Sequence, residues 1–212
     1  MKYKFRDFKI QRTCNKKYAD YHSYKSALEK DFHHRCAYCN LLDTMITTPF
    51  EVDHFVPRDA FKNVWPELET TYDNLIYSCK KCNREKSNKY AGDLTKKKIE
   101  NQLFYKPDIK DYADVFFRDE EGGICSDDDL GRKMIVDLKL YSPIHNLAWI
   151  CERLESTSEK LDERIKMEPV SSDTRKKLEE AQKQLKSYYA DWLKMFIANY
   201  NNKNFGNYSP VV

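Results

Sequence analysis

The sequence predicts an α+β protein: a small strand–strand–helix module pinned by four cysteines, then a mainly helical C-terminal region. Three observations predict it. Four of the seven cysteines fall in two Cys-x-x-Cys pairs, Cys36/Cys39 and Cys79/Cys82. Between the pairs lie two short runs with strand character, Phe50-Glu51-Val52-Asp53 and Leu75-Ile76-Tyr77. Beyond residue 140, two long stretches repeat apolar residues at helical spacing.

The elements follow in order. Residues 1–24 form a basic, aromatic segment with no clear period. Ser23 is expected to cap a short helix carrying Tyr24, Leu28 and Phe32 on one face at i, i+4 and i+8. Residues 25–92 form the module: knuckle, strand, a turn-rich loop between Pro57 and Pro66, strand, knuckle, and a helix over Asn83 to Tyr90 stopped by Gly92. Residues 93–212 form the third region. Val115-Phe116-Phe117, then Glu121-Gly122-Gly123, then Ile124 predict a hairpin. Ser142-Pro143 opens a helix, with Ser as cap and Pro in the first helical position. Its stripe is Ile144, Leu147, Ala148, Cys151, Leu154 and Leu161. A second helix runs from about Thr174 to Tyr200, with Leu178, Ala181, Leu185, Tyr189, Trp192 and Phe196 on one face. The two are expected to pack together as a layer without chemistry, and they offer a docking face or a dimer interface. The tail after Asn201 is polar and expected to fray.

Hydrophobic residues make up 41% of the 212, enough for a core, and charged residues 33%. No apolar run approaches the roughly 20 residues of a membrane span. The basic start Met1-Lys2-Tyr3-Lys4-Phe5-Arg6 lacks the apolar stretch of a secretory signal. The expectation is a soluble, cytoplasmic protein with no membrane partner. The net charge of +3 says less than its distribution. From Cys79 to Lys98, eight Lys or Arg face two acids, a local net of +6; from Arg118 to Asp129 the local net is −5. The basic block suits a polyanion such as nucleic acid, or is a solvated face.

In a reducing compartment disulfides are disfavoured, and paired Cys-x-x-Cys knuckles point to zinc. Thiolates at i and i+3 both reach one ion when the chain turns tightly. Two such pairs complete a shell of four sulfurs, closed to water and therefore structural. The 39 residues between Cys39 and Cys79 exceed the roughly 15–20 of a simple zinc ribbon. Something is inserted between the knuckles, and it holds the residues of interest. The alternative, four cysteines as small buried apolar residues, leaves a small polar segment with little to fold on.

Glu51-Val52-Asp53-His54-Phe55-Val56-Pro57, then Asp73-Asn74-Leu75, then Cys79-Lys80-Lys81-Cys82-Asn83-Arg84-Glu85-Lys86 together resemble the HNH endonuclease family, over about residues 32–92. The resemblance implies a ββα-metal module, in agreement with the strand–strand–helix order. It implies that Asp53 and Asn83 hold a metal, that His54 is the general base, and that Asn74 braces the loop holding His54. Lys86, with Arg58 and Arg84, would contact phosphate. Two oxygen ligands and no imidazole imply Mg²⁺ or Mn²⁺ at the catalytic site beside structural Zn²⁺ at Cys36, Cys39, Cys79 and Cys82. Phosphodiester hydrolysis needs a water, a base to deprotonate it, and positive charge for the phosphate and the leaving oxygen. A hard cation with open positions and a neutral imidazole supply these. His22, His33, His34 and His145 sit in no such motif.

Lys80, Lys81, Arg84, Lys86 and Lys89 lie beside this constellation, where a double-stranded DNA backbone would run. Phosphate contacts carry no sequence information, so weak sequence preference is expected. The Gly122-Gly123 hairpin with Arg132, Leu138-Leu140 and Arg153 loosely resembles the region after the HNH core in bacterial phage-defence nucleases of the Septu and retron-effector type. That likeness implies an ATPase or another regulatory protein partner. Two further readings stand beside the DNA endonuclease: a zinc-stabilised nucleic-acid-binding module with a dead core, and an RNA-cleaving toxin. The first predicts loss of Asp53, His54 or Asn83, and all three are present.

Overall fold

A computed structural model describes residues 1–200, which divide into two units. The first, Met1–Tyr141, holds β1 (Tyr3–Lys4), α1 (Lys25–Asp31), β2 (Glu51–His54), α2 (Arg58–Phe61), β3 (Leu75–Ser78), α3 (Lys80–Lys86), β4 (Phe117–Arg118), β5 (Ile124–Cys125) and α4 (Asp129–Asp137). The second holds α5 (Pro143–Met167) and α6 (Asp173–Tyr200). The polar tail after Asn201 lies outside the described residues.

Strands β2 and β3 pair antiparallel, with Asp53 opposite Ile76 and His54 opposite Leu75. All four residues of β3 are buried, so it is covered on both faces, as its continuous apolar run requires. Helix α3 begins at Lys80, three residues before the expected start. The reason is its cap: the Cys79 sulfur accepts from the backbone N–H of Cys82 at 3.5 Å. The second knuckle is therefore the first turn of the helix. The helix also ends early, at Lys86, because Ser87 adopts φ 49° before Gly92 is reached.

Tyr24, Leu28 and Phe32 are all buried, as their spacing predicts. The cap is different. A 3₁₀ turn over Tyr21–Tyr24 precedes α1, and Asp20, not Ser23, accepts from the His22 N–H at 2.9 Å. The loop after Pro57 carries the short α2, which the turn-rich composition hid.

The hairpin forms, with Phe117 opposite Cys125 and Arg118 opposite Ile124. Asp119 closes it by accepting from the N–H groups of Glu121 at 3.0 Å and Gly123 at 2.7 Å, with Gly122 at φ 83°. Strand β1 adds to β4 to make three strands; two residues are too few to show a period. The acidic run is thus partly structural: Asp119 builds the turn, and Asp128 caps α4 by accepting from Gly131 N–H at 2.7 Å.

In the second unit α5 and α6 pack on each other along their length. Pro143 occupies the first helical position, but the Ser142 side chain makes no capping bond. Ile144, Leu147, Ala148 and Cys151 are buried, and Leu154 and Leu161 are half-buried. On α6 the expected Ala181 is exposed and Gln182 is buried in its place. The Gln182 amide donates to the Ser158 carbonyl at 3.1 Å and its hydroxyl at 2.9 Å across the helix pair.

Candidate active site

The first knuckle is a tight turn. Cys36 N–H donates to Leu41, Asn40 N–H donates back to Cys36 at 2.9 Å, and Asn40 takes φ 63°. Ala37 N–H donates to the Tyr77 carbonyl at 2.9 Å, which ties the turn to β3. The sulfurs of Cys36, Cys39, Cys79 and Cys82 are all buried and all lie within 4.8 Å of one another. Cys39 and Cys79 sulfurs are 3.8 Å apart. Zn–S bonds of about 2.3 Å in a tetrahedron demand S–S edges of about 3.8 Å. The cluster fits a structural zinc.

Strand alternation places Glu51 and Asp53 on one face of β2, with His54 at its end. Asp53 is 5% exposed. One carboxylate oxygen accepts from the Tyr38 hydroxyl at 2.7 Å and the other from the Lys86 ammonium at 2.9 Å. Burial pushes the Asp53 carboxyl above its usual range, while Lys86 and the Tyr38 hydrogen bond pull it back down. Each oxygen keeps a lone pair beyond the bond it accepts.

His54 packs edge-on to Tyr21, with ring centroids 4.7 Å apart, and against Phe61 at 5.6 Å. Its Nε2 lies 2.9 Å from the Glu69 carbonyl. A carbonyl only accepts, so Nε2 carries the proton and Nδ1 is left as the acceptor. Burial holds the His54 pKa below its ordinary value, which leaves the ring neutral at neutral pH. The Glu69 carboxylate pairs with Arg58 at 2.9 Å, so one residue fixes the imidazole by its backbone and the guanidinium by its side chain.

Asn74 is fully buried. Its oxygen accepts from Val56 N–H at 2.9 Å, and its amide donates to the carbonyls of Val56 at 3.2 Å and Leu68 at 3.3 Å. Its backbone carbonyl accepts from Phe55 N–H at 2.7 Å. Asn74 thus ties both the chain leaving His54 and the segment before Glu69. The Asn83 amide donates to Glu51 at 2.8 Å.

Asp53, His54 and Asn83 line one cleft of about 660 Å³, together with Tyr21, Arg58, Lys62 and Glu69. A carboxylate residue and an amide residue among the lining suit a hard divalent cation. Asn74 stands behind the cleft. Arg58 lines it, while Lys80 and Arg84 are exposed on α3 and Lys81 is half-buried. The one expected phosphate-binding residue that is fully buried is Lys86. It is 1% exposed and bonds Asp53 and, at 2.8 Å, the His54 carbonyl. A carboxylate buried this deeply demands a cation, and Lys86 supplies it from within.

Sequence reasoning missed Tyr38, Glu51 and Glu69. Glu51 had a signal, since period-two alternation puts it beside Asp53. Tyr38 and Glu69 had none, because one acts from between two cysteines of the cluster and the other through its backbone.

Two paired strands and a helix beside a four-cysteine cluster, with Asp53, His54 and Asn83 on one cleft, form the strand–strand–helix module that the sequence predicts. Residues 36–89 match the model of the HNH endonuclease family, and the chain carries that domain. A stretch of 62 residues is 36% identical to the Septu protein PtuB of Bacillus thuringiensis. It covers 29% of this chain and only 23% of that relative. No solved structure matches the chain significantly. No helix among the described residues is long and apolar enough to cross a membrane.

Proposed function

We propose that the chain is a DNA endonuclease that hydrolyses phosphodiester bonds with His54 as general base and one Mg²⁺ or Mn²⁺ held by Asp53 and Asn83. The observation that carries this reading is the convergence of those three residues on one cleft, with the imidazole locked by Glu69 so that its free nitrogen is Nδ1. The bound cation would supply positive charge to the scissile phosphate and the leaving oxygen. His54 Nδ1 takes the proton of the attacking water, and Glu69 keeps Nε2 protonated and the ring oriented. Asn74 holds the chain on both sides of that pair. Tyr38 and Lys86 fix the Asp53 carboxylate. Arg58 and Lys62 on the cleft wall, with Lys80, Lys81 and Arg84 on α3, attract the DNA backbone. Contacts of this kind read no sequence, so double-stranded DNA is cut with weak preference.

The likeness to a Septu protein supports a role as a phage-defence effector acting with an ATPase or other regulatory protein. The test is incubation of supercoiled plasmid and of a structured RNA with purified protein and Mg²⁺, with and without chelator. Plasmid cleavage abolished by chelator is expected. Cleavage of RNA alone would establish the toxin reading, and tight DNA binding without cleavage would establish the binding module.

A further inference from the structure

We propose that Glu51 is a positioning residue that sets which atom of Asn83 faces the cleft. The inference rests on the proposed reading of Asp53 and Asn83 as the metal-holding pair. An amide has two nearly isosteric ends, a carbonyl oxygen that binds cations and an NH₂ that donates and does not. Which end faces the cleft is decided by what holds the other. Here the Asn83 NH₂ donates to Glu51 Oε2 at 2.8 Å. An ionised carboxylate only accepts, so the amide cannot turn over without losing this bond and setting its oxygen against a negative charge. The Asn83 oxygen is thereby committed to the side away from Glu51.

The placement follows from the strands. Glu51 sits two residues before Asp53 and shares its face of β2. Asn83 lies on α3, which packs against that strand. Val52, Asp53, His54 and Asn83 line the cleft, and Glu51 is absent from its wall. Glu51 is half-buried and holds the Asn83 NH₂. It also polarises the amide it holds, raising electron density on the oxygen. Asn83 alone has no means of presenting oxygen rather than NH₂; Glu51 gives it one.

The test uses the full chain and Mn²⁺ binding followed by electron paramagnetic resonance without DNA, in the parent, Glu51→Ala, Glu51→Gln, Asn83→Ala and Glu51→Ala/Asn83→Ala. Zinc content and melting temperature serve as controls for fold. Removing a group that orients a metal ligand costs roughly 10–100-fold in affinity. Glu51→Ala is expected to weaken Mn²⁺ by that factor, and Glu51→Gln, which can still accept from the amide, by less. Glu51→Ala is expected to add nothing once Asn83 is alanine, because Glu51 acts only through it.

Mn²⁺ affinity unchanged by Glu51→Ala while Asn83→Ala weakens it would overturn the proposal and leave the nuclease reading standing. Additive losses in the double variant, or an equal loss in Glu51→Gln, would overturn it too, since they mark a direct ligand or a bulk charge effect. Unchanged affinity in Asn83→Ala would remove the metal assignment itself and Glu51's role with it. If Glu51→Ala does not fold, Glu51→Gln with and without Asn83→Ala completes the same cycle.

Discussion

At the residue scale, His54 and Lys86 show how burial sets chemistry. His54 has its protonated form penalised by burial, so its pKa lies below the ordinary histidine value, about 6.5. Cleavage is therefore expected to hold through neutral pH and to fall only below about 6.5. His54→Ala is expected to lose roughly 10²–10⁴-fold in rate. A pH–rate profile of the parent with its acid limb above 7 would contradict the assignment of the base. Stability has the same sign: the unfolded chain takes up this proton near pH 6.5 and the native state only lower, so this contribution is lost as pH falls below about 6.5. Lys86 carries a different prediction. A lysine that only touches phosphate can be replaced at a cost of less than about 0.5 kcal/mol in stability. Lys86→Met leaves the Asp53 carboxylate buried and unpaired, and is expected to destabilise by roughly 3–5 kcal/mol in urea unfolding.

At the element scale, the module is short strands and three helices of about two turns or fewer, far too little to fold on propensity alone. The four sulfurs close it. They anchor the turn before β2, cap α3 through Cys79, and through Tyr38 reach Asp53. Cys79→Ser is expected to lose zinc and soluble fold together, as read by metal analysis and circular dichroism; a folded, zinc-free variant would show the knuckles to be dispensable. Strand β2 and both long helices were legible because their residues follow a period, and β3 because its apolar run is continuous. The start of α3, the short α2 and the strand β1 were not: a cysteine sulfur caps α3 in place of the usual side-chain oxygen, α2 is four residues long and too short to show a period, and β1 exists only through its pairing with the distant β4.

At the scale of the whole molecule, charge decides where DNA would lie. The basic block holds Lys80 and Arg84, both exposed on α3, the helix that gives Asn83 to the cleft lined by Arg58 and Lys62. Every cation that neutralises a phosphate steepens the fall of log affinity with log salt by about 0.9. Replacing Lys80 and Arg84 together by glutamine is expected to make that slope shallower by about 2, with cleavage at saturating DNA largely kept. An unchanged slope would place the DNA elsewhere. The acidic run, by contrast, partly spends its charge on its own backbone, in the turn at Asp119 and the cap at Asp128.

By itself the sequence determined the α+β class, the clustering of the four cysteines and the grouping of Asp53, His54, Asn74 and Asn83. Those features are written in residue type and spacing, and the chemistry of thiolates, carboxylates and imidazole admits few other readings. Only the tertiary structure decided which groups hold them. It turned Lys86 inward, set Glu69's carbonyl on the imidazole, reached Tyr38 out of a cysteine knuckle and bonded Glu51 to the Asn83 amide. Those partners come from separate segments of chain, and a hydrogen bond between distant residues leaves no mark in local pattern; it exists only once burial makes an unpaired polar group too costly to leave.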